Sequence, residues 1–129
     1  MRAQTIAMLI GLVFIAVGLL GFIDNPIIGD GEEVIFHADT KHNMVHIVSG
    51  ILFFLFAMAG YQTARRFIIL FGVVYLLIGI MGLVQIGDEG MTKVLGFLHV
   101  NGADNYLHIG LGVLIILLGF AAQKPADNN

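Results

Sequence analysis

The chain has 129 residues, 58% of them hydrophobic and 12% charged, with a mean hydropathy of +0.94. A soluble domain of this size lacks the interior volume to hide so much apolar surface, so the chain belongs in a bilayer. A net charge of −3 with no basic stripe gives no nucleic-acid partner, and the absence of cysteine excludes disulfides, thiolate catalysis and iron–sulfur clusters.

Four uncharged runs, about Ala3–Ile23, Met44–Gln62, Phe67–Gly87 and Asn105–Gln123, each approach the roughly 20 helical residues that cross a ~30 Å hydrocarbon core. They are continuously apolar instead of alternating, so helices fit better than barrel strands. The expected fold is all-α: a polytopic membrane protein, a four-transmembrane-helix bundle. Arg2 ahead of the first run has the look of a signal peptide, but the run lacks a clean small-x-small cleavage site. The loop after it, about Asp24–Lys41, is acidic through Asp24, Asp30, Glu32, Glu33 and Asp39. Its "GDGEE" stretch, Gly29–Glu33, lacks the alternating oxygen ligands of a calcium loop and reads as a solvated turn. Asp39 is placed to N-cap the second span. The Arg65–Arg66 link is short, which makes spans two and three antiparallel neighbours. A second long loop, about Asp88–Asp104, leads to Asn101, an N-cap that forms a capping-box-like pair with Asp104. Tyr61 and Tyr106 fit interfacial anchors.

The chain also repeats itself. With a shift of 61, "LIGLVFIAVGLLG" lies on "LFGVVYLLIGIMG" and matches Gly11, Gly18 and Gly21 with Gly72, Gly79 and Gly82. With a shift of 62, "FHADTKHNMVHIVSGIL" lies on "LHVNGADNYLHIGLGVL", matching His37 with His99, Asn43 with Asn105, His46 with His108 and Gly50 with Gly112. One membrane domain over 1–129 is therefore expected, with repeat 1 at 1–62, repeat 2 at 63–124 and a polar tail at 125–129. Each repeat holds two spans, so the copies enter the membrane in the same direction, about a pseudo-two-fold axis along the membrane normal. Arg2, Arg65, Arg66 and Lys124 outweigh Lys41 and Lys93, which puts both termini in the cytoplasm and the long loops, with all five His, outside.

Asn43, His46 and Gly50, like Asn105, His108 and Gly112, fall on one stripe of a helix, polar outside and small inside. The favoured role is structural: small residues let helices approach while Asn and His hydrogen-bond across the interface. Asp104, four residues before His108, is placed to accept from its imidazole. The glycines read as close-packing seams. The alternative is a haem or a transition metal, with His46 and His108 as the cofactor candidates and His37, His46, His99 and His108 as the metal candidates. No Asp, Glu, Lys or Arg lies inside any run, which removes the carboxylate chains of pumps and transporters. Ser49, the only serine, has no counterpart in the second repeat, so a serine hydrolase is not expected, and no catalytic residue is assigned.

"VNGADNYLHIGLG", Val100–Gly112, together with "HNMVHIVSG", His42–Gly50, resembles a family of small bacterial four-span membrane proteins known only as domain of unknown function 4383. The resemblance covers nearly the whole chain. It implies a multi-pass inner-membrane protein and brings no activity, substrate or cofactor. By the family pattern the motif positions are His42, Asn43, His46, Asn101, Asp104, Asn105 and His108, without His37 and His99. The expected partners are the lipid bilayer and either a second copy or another membrane protein.

Overall fold

The computed structural model describes residues 1–86 and 90–126. Four helices carry the fold: α1 (Ala3–Leu20), α2 (Thr40–Met58), α3 (Tyr61–Ile86) and α4 (Gly102–Ala121). Each is long and apolar enough to cross a bilayer, and the chain is a multi-pass membrane protein. Leu12, Val13, Leu55, Leu70, Leu77 and Leu117 are all more than half exposed, a surface that is costly in water and natural against lipid.

The buried side of each helix is a narrow stripe at three- and four-residue steps. In α1 it is Ala3, Ile6, Ala7, Gly11, Phe14 and Gly18; in α3 it is Ala64, Ile68, Gly72, Tyr75, Gly79 and Gly82. α1 packs chiefly on α2 and α3 chiefly on α4, and the two hairpins meet through α3. Glycine makes both seams close. A Cβ built on Gly11 would lie 2.8 Å from the Gly50 carbonyl oxygen, and one on Gly72 would lie 3.0 Å from that of Gly112. Backbone therefore touches backbone, which is how helices gain contact where lipid removes the hydrophobic drive to associate.

The spans begin and end differently from the hydropathy runs. α2 starts at Thr40 and α4 at Gly102, ahead of Met44 and Asn105, because their capping residues decide the first turn and hydropathy does not. The turn between α2 and α3 is Ala59–Gly60, with Gly60 at φ 105°. Arg65 and Arg66, expected in that link, lie inside α3 instead. At 26 residues, about 39 Å, α3 outruns the hydrocarbon core, so its first turns reach the interface. There an arginine can rest its apolar stem on the bundle, and the Arg65 guanidinium stands 5.7 Å over the Phe120 ring.

Both long loops carry short strands that the hydropathy pattern does not announce. β1 (Ile28–Gly29) pairs in parallel with β2 (Phe36–His37), and β3 (Met91–Val94) pairs antiparallel with β4 (Leu98–Asn101). Loop backbone lying over the bundle must find partners for its N–H and C=O groups, and the ribbons supply them. Val94, Leu98 and Val100 form a small core beneath the second ribbon. The expected end of the third span at Gly87, the loop start at Asp88 and residues 127–129 of the polar tail lie outside the described residues.

The termini meet at the opposite end. Gln123 N–H donates to the Met1 carbonyl at 2.8 Å, and the Tyr61 hydroxyl donates to that of Ala122 at 3.4 Å. Arg2, Arg65, Arg66 and Lys124 thus belong to one end of the bundle, and the acidic loop to the other.

Candidate functional site

The loop end is organised by helix caps. The Asp39 carboxylate accepts from His42 N–H at 3.0 Å and starts α2. At α4 the capping box is complete: Asn101 Oδ1 accepts from Asp104 N–H at 2.9 Å, and Asp104 Oδ2 accepts from Asn101 N–H at 2.8 Å. The same two side chains reach the first loop. Asp104 Oδ2 also accepts from His37 N–H at 3.2 Å, and Asn101 Nδ2 donates to the Ile35 carbonyl at 3.0 Å. The second hairpin therefore holds the loop of the first. Asp104 does not serve His108 as expected; its one bonded oxygen turns back to the cap and to His37.

Below the caps three imidazoles converge. His42, His46 and His108 are 3%, 5% and 3% exposed. The His42 ring centroid is 4.6 Å from that of His46, one helical turn on, and 5.7 Å from that of His108 on α4. One ring nitrogen from each can be chosen so that all three lie within 4.8 Å of one another. Aromatic rings from α1 and α3 close the cluster. Phe14 stands edge-on to His46 at 5.7 Å, and Tyr75 lies 4.6 Å from His108 with its hydroxyl 3.5 Å from His46 Nε2. The Nδ1 atoms of all three histidines are buried without a hydrogen-bond partner among the described residues. A cavity of about 160 Å³ lies against the three rings, Ser49 and Tyr75.

The other named residues fall into two groups. His37 and His99 stand outside this cluster, ring centroids 5.9 Å apart, with His99 Nδ1 3.6 Å from an Asp39 carboxylate oxygen. Burial pushes the His37 imidazole below its ordinary value; His99 pushes the same way, and Asp39 and Asp30 oppose it. Asn43 and Asn105 are buried, but their amide carbonyls have no hydrogen-bond partner among the described residues. Each amide instead lies directly on a glycine, Asn43 on Gly21 just past the end of α1 and Asn105 on Gly82 of α3, where a Cβ would collide with it. The hydrogen bonds expected of these two side chains are replaced by shape.

A family model for a domain of unknown function, DUF4383, matches residues 4–121. The chain belongs to the DUF4383 family. A search of curated proteins and a search of solved structures return no match. In this DUF4383 protein the pairing of His46 with His108 passes over two participants. His42 carries a signal in the sequence, since His42 and His46 stand four apart and so share a helix face. Tyr75 carries none beyond its place opposite Phe14 in the glycine-rich spans, because nothing in a hydropathy pattern says that α3 turns it toward the histidines.

Proposed function

We propose that the protein is a non-enzymatic, structural or accessory component of the membrane, built from two tandem helical hairpins, 1–62 and 63–124, that Asn43 and Asn105 clamp. The observation that carries this reading is the equivalence of the two seams: Asn43 sits on Gly21 and Asn105 on Gly82, at positions the repeat equates. The aromatic contacts have the same relation, Phe14 on His46 in one hairpin and Tyr75 on His108 in the other. A structural device used twice speaks for a shared packing role more than for one reacting centre.

Asn105→Leu is expected to lower stability by about 1–3 kcal/mol, because a branched apolar end overpacks the slot on Gly82 that a planar amide fills. His46→Gln and His108→Gln should each fold and cost on the order of 1 kcal/mol, as interhelical polar contacts in membranes do. Thermal melting in detergent ranks the three variants, and a His108→Gln protein that fails to fold beside a normal Asn105→Leu protein would overturn the clamp.

For orientation, the arginine-rich end with both termini belongs in the cytoplasm of a bacterial inner membrane. A single cysteine at Gly31 should react with a membrane-impermeant maleimide in intact spheroplasts, and reaction only after lysis would reverse this arrangement.

A further inference from the structure

We propose that His42, His46 and His108 form a binding site for one divalent late-transition-metal ion, zinc or copper(II), at the loop end of the bundle. This goes beyond the clamp reading and does not depend on it, since the Asn–Gly seams that make the clamp involve none of the three histidines.

The residues are of the right kind. Imidazole is the ordinary ligand for zinc and copper, and two histidines four residues apart on a helix present their rings to one ion. His42 and His46 supply that pair from α2, and His108 closes it from α4. A buried polar group normally has a partner, and the Nδ1 atoms of all three rings have none among the described residues, bonding capacity that the fold leaves unused. Ligand atoms within 4.8 Å of one another are close to the spacing needed. A tetrahedral ion with bonds of about 2.0–2.1 Å holds its ligands roughly 3.4 Å apart, so binding requires the rings to draw in from their present spacing. The Tyr75 hydroxyl beside His46 Nε2 helps to orient that ring.

Size and charge narrow the ligand further. The cavity of about 160 Å³ takes a water or hydroxide as the fourth ligand. It is well below the ~300–1,000 Å³ of pockets for larger ligands, which speaks against a haem macrocycle. The nearest carboxylate on α4, Asp104, is engaged by Asn101 and His37, so a hard, oxygen-seeking ion such as calcium finds no set of oxygens here. His37 and His99 lie outside the site and serve as controls.

The test uses the full chain in detergent, purified without a polyhistidine tag, stripped with chelator and loaded with zinc or with cobalt(II) as a spectroscopic probe. One zinc per chain by elemental analysis, and the intense visible bands of tetrahedral cobalt, are the expected results. His46→Ala and His108→Ala should each weaken zinc binding on the order of 100-fold or more, whereas His37→Ala and His99→Ala should leave it within a few-fold. Zinc should also raise the melting temperature of the wild type and not that of His46→Gln, which the clamp reading expects to fold. Less than half an equivalent of zinc bound by folded wild type, or full binding retained in folded His46→Gln and His108→Gln, would overturn the proposal while leaving the clamp intact. Cobalt spectra of octahedral type on the wild type would do so without any variant.

Discussion

Replacing Gly112 by alanine should destabilise the protein by about 1–3 kcal/mol in a detergent melt, and Gly50→Ala should do the same, although each adds a single methyl group. On Gly112 a Cβ would lie 2.6 Å from Leu76 N and 2.8 Å from Leu76 Cα; on Gly50 it would lie 2.6 Å from the Gly11 carbonyl oxygen. On Gly50 the Ile15 Cγ1 lies closer still, at 2.5 Å, but the decisive neighbours at both sites are backbone. A flexible side chain can swing aside by a few tenths of an ångström, but a helix axis must move as a body, which opens the seam along its length. Gly110 is the internal control. It lies on the exposed side of the same helix with nothing among the described residues within 4 Å of an added methyl, so Gly110→Ala should be neutral or slightly stabilising through helix propensity. Equal stability of Gly112→Ala and Gly110→Ala would mean that backbone contact between α3 and α4 does not support the hairpin.

The second large effect is expected at Asp104. One carboxylate oxygen accepts both the cap bond from Asn101 and the loop bond from His37, and the side chain is 2% exposed. Asp104→Ala leaves the Asn101 cap bond to the residue 104 N–H in place but strands the Asn101 and His37 N–H groups together, so a loss of about 2–3 kcal/mol is expected. Asp104→Asn keeps a carbonyl oxygen in the same place and should recover most of that loss. Hydrogen exchange gives a local readout as well. The amide of His37 should lose protection in Asp104→Ala even though it lies 67 residues away in sequence, because its acceptor sits on α4. Unchanged exchange at His37 would remove the role assigned to this side chain in holding the first loop.

Much of the architecture was legible because a bilayer constrains so strongly. Four apolar runs can hardly be anything but spans, and the caps at Asp39 and Asn101 with Asp104 follow from side-chain chemistry within three or four residues. Local rules suffice for local contacts. The same rules misplace Arg65 and Arg66, since charge reads as loop where the long helix α3 already runs through both residues. They also assign Asp104 to His108 on helical spacing alone. Spacing cannot see that the first loop brings a competing N–H from His37 to the same oxygen.

By itself the sequence determined the membrane setting, the four helices, their capping residues and the doubled Asn-x-x-His pattern, all properties of composition or of neighbours along one chain segment. Only the tertiary structure decided which polar residues meet. It set Asn43 and Asn105 against glycines instead of hydrogen-bond partners, drew His42 into a cluster with His46 and His108, and left His37 and His99 aside. The physical reason is that such meetings depend on helix rotation and on which helices are neighbours. Those are set by the close approach of backbones at Gly11, Gly50, Gly72 and Gly112, a property of two surfaces at once that periodicity within either helix does not contain.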